Sequence, residues 1–153
     1  MYVTILDKHA ALKVAEIFPK PFAVISISTP GDESPKFPNN KLLKYLLPLS
    51  FYDIDPASWE TSELEIYKNG IFSEKQAKQI IEFIYKIEEV EIDTMLIHCD
   101  AGVSRSAGVG AAVELIMNGS DKTVFNNRKF VPNRFVYRTI INTFHKMGHC
   151  YNL

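Results

Sequence analysis

Along the chain, short unbroken apolar runs, the mark of buried strands, alternate with segments whose apolar positions fall three and four apart, the mark of one helical face. Tyr2 to Leu6 reads as an edge strand. Asp7 stands where a helix N-cap belongs, ahead of Ala11, Val14, Ala15 and Phe18 on one face, and Pro19 and Pro21 stop that helix. Phe22 to Ile25 is continuously apolar or small, Ile27 alternates with Ser26 and Ser28, and Thr29-Pro30-Gly31 ends what reads as a central strand. Residues 29–41, with three prolines, read as a connecting surface loop. Tyr45 to Ser50 is the next strand, although Pro48 suits the centre of a sheet poorly. Residues 51–70 show no clear period, and their aromatic Phe51, Tyr52, Trp59 and Tyr67 argue against disorder, so the segment reads as a long lid-like loop.

Ser73 and Gln76 form a capping-box pattern before Ala77, Ile80, Ile81, Ile84 and Ile87, one helical face running to about Glu89. The stretch Asp93 to Gly108, DTMLIHCDAGVSRSAG, then organises the rest. Thr94 to Ile97 is a short strand, a glycine-broken loop follows, and Val109, Ala112, Val113 and Ile116 share the face of a helix that Gly119 ends. Beyond it, Asp121 to Asn126 predicts a short helix, Pro132-Asn133 a turn and cap, and Val136, Ile140 and Phe144 the buried face of a last helix. This order predicts a three-layer α/β/α domain with a mainly parallel, four- to five-stranded sheet and the glycine-broken loop at the carboxyl end of its central strand, where open α/β sheets place their sites.

Composition adds bounds. A chain of 153 residues, 46% hydrophobic, can bury a core as one domain without metals or crosslinks. A net charge of −1 gives no global reason to expect nucleic acid or an anionic membrane as partner. Two cysteines make no disulfide framework, and a working thiol suits a reducing compartment, so cytoplasm is expected. No charged-then-apolar leader opens the sequence, and no apolar run approaches the ~20 residues of a membrane span.

The candidate chemistry lies in the glycine-broken loop. Cys99 and Arg105 stand in C-x5-R spacing with Gly102 between them and Ser104 and Ser106 flanking the arginine. A thiol and a guanidinium that share one phosphate must lie within a few ångströms of it, so the loop must curl. Curled against a helix start, the amides of Asp100, Ala101, Gly102, Val103, Ser104 and Arg105 can face inward as an anion nest reinforced by the helix dipole. That field favours the thiolate of Cys99 as nucleophile. Arg105 offers a planar fork for two phosphoryl oxygens, and the Ser106 hydroxyl can donate to the sulfur. Spacing alone is weak, because a free cysteine is often only a small buried hydrophobe.

The full string HC-x2-G-x-S-R-S-x-G, after an apolar strand and opening a helix, resembles the signature loop of the cysteine-dependent protein tyrosine phosphatases, especially the compact dual-specificity branch. The specific match covers His98 to Gly108. The small low-molecular-weight phosphatases and arsenate reductases also use C-x5-R, but near the N-terminus, and are disfavoured. The resemblance implies a phosphomonoesterase with a phosphocysteine intermediate, no cofactor and no metal, in which His98 orders the loop from behind. It also implies a general acid on the loop after the strand that precedes the long helix, where Phe51-Tyr52-Asp53-Ile54-Asp55 corresponds to an F-x-D-I-D-like string. Asp53 is preferred over Asp55, which Pro56 biases toward an extended, turn-starting conformation.

The loop interior lacks the lysines that accompany phosphoinositide substrates in related branches, so a phosphorylated protein is the expected partner, on tyrosine or on serine and threonine. RNA 5′-phosphates or phosphoinositides are the alternative substrates, and a catalytically silent phosphate-binding module is the alternative function. His9, His145 and His149 lack metal-ligand spacing and read as ordinary side chains. Cys150 reads as incidental rather than as a redox partner of Cys99.

Overall fold

The computed structural model describes residues 1–151. Four strands, β1 (Tyr2–Asp7), β2 (Phe22–Ser28), β3 (Leu43–Ser50) and β4 (Thr94–Cys99), form one sheet in the order β1-β4-β2-β3, with every pairing parallel. The expected range of four to five strands resolves to four. Helix follows β1, as α1 (Lys8–Ile17), and lies between β3 and β4, as α2 (Thr61–Tyr67) and α3 (Glu74–Glu89), while the β2–β3 crossover is a loop without helix. After β4 come α4 (Arg105–Asn118), α5 (Lys122–Phe125) and α6 (Arg134–Lys146).

The central strands β2 and β4 are buried at every position, which is why they read as nearly unbroken apolar runs. Their alternate side chains divide between two cores. Ala23, Ile25, Ile27, Met95 and Ile97 pack with Ala77, Ile80, Ile81, Ile84 and Ile87 of α3, Val109, Ala112 and Val113 of α4, and Val136, Ile140 and Phe144 of α6. Phe22, Val24 and Leu96 face the other way, onto Ala15 of α1 with Val14, Phe18, Phe37 and Leu42 around it. These are the three expected layers. Each fully buried isoleucine of α3 contributes about 1.5–3 kcal/mol by leaving water. The strand β3 lies at an edge, and its exposed Pro48 needs no partner on the open side, which resolves the difficulty of a proline in a strand.

Local chemistry sets the helix ends as the sequence predicts. Asp7 Oδ1 accepts the Ala10 amide at 2.9 Å, Ser73 and Gln76 make both halves of the capping box, and Gly119 ends α4 with φ 77°. Two expectations are corrected. Phe18 lies outside α1 as its C-cap. Residues 51–70 are not a structureless lid: a 3-10 turn at Pro56–Ser58, the helix α2 and a second 3-10 turn at Lys68–Gly70 fill most of the segment. None of these short elements has a buried residue, so no apolar period marks them. Aromatic edges pin them instead, with Tyr67 against Tyr52 at 4.9 Å and against Trp59 at 5.5 Å between ring centroids. Among the described residues, no helix is long and apolar enough to cross a membrane.

Parallel pairing gathers the strand ends on one edge. Asp7 of β1 is in register with Cys99 of β4, and the next residues after β2, β3 and β4 are Thr29, Phe51 and Asp100. All of these bear on the site.

Candidate active site

Cys99 ends β4 and is 2% exposed. Its Sγ lies 3.3 Å from the Gly102 amide, which donates to it, and 3.1 Å from Ser106 Oγ. Two residues far apart on an extended chain can meet one sulfur only if the loop turns tightly, and Gly102 makes that turn at φ +69°. A Cβ there would lie 2.5 Å from the Asp7 nitrogen and 2.6 Å from the Leu6 carbonyl carbon, so the loop sits directly on the end of β1. At Gly108 a Cβ would meet the Asn133 carbonyl oxygen at 2.6 Å, so α4 likewise needs glycine to approach the start of α6.

The carbonyls of the loop turn toward its flanks. Asp100 O accepts from Lys8 N at 3.3 Å, Val103 O from Val131 N at 3.0 Å, and Ser104 O from Asn133 N at 3.0 Å. A trans peptide directs its N–H opposite to its C=O, so the amides of Ala101, Ser104 and Arg105 face the space the loop encloses. The side chain of Ser104 does not cap α4, leaving the first-turn amides of that helix without a side-chain acceptor.

Arg105, the first residue of α4, is 7% exposed. Its Nη1 donates to Thr29 Oγ1 at 2.9 Å and to the Phe51 carbonyl at 3.0 Å, and its Nη2 donates to Asp100 Oδ2 at 3.0 Å. Thr29 Oγ1 in turn donates to the same Asp100 oxygen at 3.0 Å. Burial pushes the Asp100 carboxyl up, but the hydrogen bonds from Arg105 and Thr29 outweigh it and hold the group below its ordinary value.

Asp53, just past the end of β3, lies against the rim of this loop. Its Oδ1 accepts from Ser104 Oγ at 2.8 Å and from Asn133 Nδ2 at 2.9 Å, so the acid candidate touches the loop that holds Cys99. Asn133 also donates to the Ile54 carbonyl at 3.2 Å and caps α6 through Val136 N at 3.0 Å, tying loop, helix and acid together. Asp55 has other work: it caps the 3-10 turn through Ala57 N at 3.1 Å and lies 3.7 Å from Arg138 Nη2.

His98 is buried behind the loop, with Nδ1 at 3.2 Å from the Cys99 carbonyl and Nε2 at 2.6 Å from Ser26 Oγ. A carbonyl can only accept, so Nδ1 carries the proton and a neutral ring takes the Ser26 hydroxyl at Nε2. Burial holds the imidazole below the usual histidine value of 6.5, against the pull of the Cys99 carbonyl and Asp100. With the folded value depressed, the unfolded chain binds the proton first, so stability is full above about pH 6.5 and falls as pH drops below it. Thermal unfolding from about pH 7.5 to 5.5 is expected to show wild type losing more stability than His98→Gln. Parallel losses would remove His98 as the titrating group.

The site thus brings together Cys99, Asp100, Gly102, Ser104, Arg105, Ser106 and Asp53, with His98 behind. Sequence reasoning missed Thr29, placed in a mere connection, Ser26 as the partner of His98, the Asp100 side chain and the amide of Asn133. The only signals for the last were its helix-cap position and the need of a polar loop for anchors. Cys150 is exposed and free. His145 contacts Tyr151 Oη at 3.0 Å, and His149 stacks on Phe144. Among the described residues, no group of three or more histidine, cysteine, aspartate or glutamate side chains converges as a metal site.

The parallel sheet, its helical layers and the loop after β4 define a class: the chain has the fold of the cysteine-dependent protein tyrosine phosphatases in their compact form. It is similar to the human tyrosine phosphatase-like serine/threonine/tyrosine-interacting protein, at 18% identity and TM-score 0.55 over 94% of this chain and 87% of that one. It is also similar to human DUSP28, at 16% identity and TM-score 0.52 over 95% and 93%. PTPMT1 in complex with PI(5)P matches at 13% identity and TM-score 0.54 over 95% and 94%. No protein-family model and no curated protein sequence matches the chain. The fold and the buried Cys99 in a loop closed by Arg105 are consistent with cysteine-dependent phosphatase chemistry.

Proposed function

We propose that the protein is a phosphomonoesterase that works through a phosphocysteine intermediate on phosphorylated proteins, with phosphotyrosine as the main substrate and phosphoserine and phosphothreonine as further ones. The observation that carries this is the Cys99 sulfur within hydrogen-bond distance of both Gly102 N and Ser106 Oγ, at the start of a helix whose first residue is Arg105. Two hydrogen-bond partners on one sulfur can hold it in place as attacking and as leaving group. The thiolate attacks phosphorus, the bond to the ester oxygen breaks, and Asp53 in its acid form gives that oxygen its proton. Ser104 and Asn133 both donate to Oδ1 of Asp53, which leaves Oδ2 to carry the proton. In the second half, Asp53 takes a proton from water, the water oxygen attacks phosphorus, the sulfur–phosphorus bond breaks, and Ser106 donates to the departing thiolate. Arg105 and the loop amides stabilise the transferring group in both halves.

The loop places Asp100, and no lysine, beside the nucleophile, which supports a phosphoprotein over the more highly charged phosphoinositides and RNA 5′-phosphates. A working thiolate suits a reducing compartment, and we infer cytoplasm. The test is turnover of para-nitrophenyl phosphate, then of phosphotyrosine and phosphoserine/threonine peptides, phosphoinositide vesicles and 5′-phosphorylated RNA. Vanadate-sensitive turnover with preference for phosphopeptides is expected. Binding of phosphate without turnover would favour the silent module instead. Arg105→Lys should lower kcat and phosphate affinity together, because a point charge cannot replace a planar fork, and normal kinetics would take Arg105 out of the site.

A further inference from the structure

A guanidinium has five N–H donors in a fixed planar arrangement, and the partners of Arg105 occupy a particular set of them. Both Nη1 donors are used, on Thr29 Oγ1 and the Phe51 carbonyl, and one Nη2 donor is used on Asp100 Oδ2. Thr29 Oγ1 and Asp100 Oδ2 are themselves joined at 3.0 Å, so they lie side by side across the end of the guanidinium. What remains is Nε–H and the second Nη2–H, which point the same way along one edge. No described residue accepts from Nε, and no fully buried side-chain nitrogen or oxygen among the described residues lacks a partner, so Nε on this edge is accessible to solvent. It has the two-pronged geometry that fits two phosphoryl oxygens.

Resting on the phosphoryl-transfer reading above, we propose that the Asp100 carboxylate, coupled to Thr29, is the positioning group that holds Arg105 with this fork facing the phosphate. The topology makes the arrangement available. Thr29, Phe51 and Asp100 are the first residues after β2, β3 and β4, and parallel strands end on one edge of the sheet. Asp100 therefore reaches Arg105 from within the same loop, while Thr29 braces it from the end of the adjacent strand β2 and Phe51 from the end of β3, one strand further out. Asp100 keeps its side chain 46% exposed, and the Arg105 side chain is 9% exposed. The carboxylate thus sits at the mouth and the guanidinium beneath it. An unpaired Nη on so buried a group would carry a desolvation cost, and the arginine would turn to relieve it, misaligning the fork.

Charge alone makes the opposite prediction. A carboxylate on the arginine should compete with a phosphate dianion, so its removal should tighten anion binding. The sign of the effect therefore separates a positioning group from a competitor.

The first measurement is calorimetric binding of inorganic phosphate to full-length Cys99→Ser, with and without Asp100→Ala. Affinity is expected to fall about tenfold, the weight of one well-placed charge-assisted contact. The second is steady-state turnover. Asp100→Ala should lower kcat on the order of 10²-fold, as small misplacements of catalytic groups do. Asp100→Asn, which keeps the acceptor and the shape, should recover most of it and also stands in if the alanine variant is unstable. Thr29→Val should lower kcat, and Thr29→Val/Asp100→Ala should be no worse than Asp100→Ala alone, because both act through one guanidinium. Unchanged or tighter phosphate binding, full kcat in Asp100→Ala, or additive losses would each overturn the proposal. Weaker phosphate binding in a protein whose wild type shows no turnover would leave Asp100 in its role and remove the phosphatase reading.

Discussion

Cys99→Ser is expected to abolish turnover, by at least about 10⁴-fold, while phosphate binding survives. The serine hydroxyl is close to the size of the thiol and can take the same hydrogen bond from Gly102, so the curled loop keeps its shape. Its glycine turn, its seat on β1 and its outward carbonyls do not depend on sulfur. What disappears is an ionisable nucleophile. A hydroxyl at neutral pH holds its proton, and among the described residues the hydrogen-bond partners of the sulfur are the Ser106 hydroxyl and the Gly102 amide, while His98 is bonded to Ser26 and to the Cys99 carbonyl. Retained turnover would mean that the chemistry is not done by Cys99.

The next largest effect is expected at Asp53. Asp53→Asn keeps an oxygen to accept from Ser104 and Asn133, so the rim should hold its shape while the proton donor is lost. Loss of a general acid costs on the order of 10²–10⁴ in rate when the leaving group is basic. Hydrolysis of phenyl phosphate and phosphotyrosine should therefore collapse, and a substrate with an acidic phenol should suffer much less. Asp55→Asn should do little, because asparagine caps a helical turn about as well as aspartate and the contact to Arg138 is long and partly exposed. If Asp55→Asn gives the leaving-group pattern and Asp53→Asn does not, the acid has been misassigned while Cys99 and Arg105 stand.

The parts of the structure legible in the sequence are those decided by neighbours in the chain. The cap at Asp7, the capping box at Ser73 and Gln76, the stop at Gly119 and the apolar runs of β2 and β4 each depend on a few adjacent residues, and all are found where the pattern puts them. The signature loop was legible for the same reason, since Cys99, Gly102 and Arg105 fall within one short string. Residues 51–70 escaped because α2 and its flanking turns bury nothing, and periodicity reports only burial. The helix α4 was read as one apolar face, but it is buried from Arg105 to Val113. It runs between the main core and a smaller one of Ile5, Ala107, Ala111 and Val124. Small residues around a central helix carry little hydrophobic contrast, so the second face was silent.

The site was half legible for a related reason. The partners of Arg105 come from three strand ends, and nothing in the string Thr29-Pro30-Gly31 shows that β2 lies beside β4. Asn133 could be read as a cap, which it is, but its amide reaches Asp53 across 80 positions of sequence. Asp53 itself was favoured through the F-x-D-I-D-like string; in the structure it touches Ser104, whereas Asp55 faces Ala57 and Arg138.

A covalent phosphocysteine on Cys99 would be trapped by rapid quenching and detected by mass spectrometry of the Cys99 peptide. Ser106→Ala is the variant to use, because without the hydroxyl the sulfur becomes a poorer leaving group and the intermediate should accumulate during turnover of para-nitrophenyl phosphate. One added phosphoryl group is expected on the Cys99 peptide within the first turnover, absent from Cys99→Ser. Turnover with no phosphoryl group on Cys99, or with one on another residue, would contradict it.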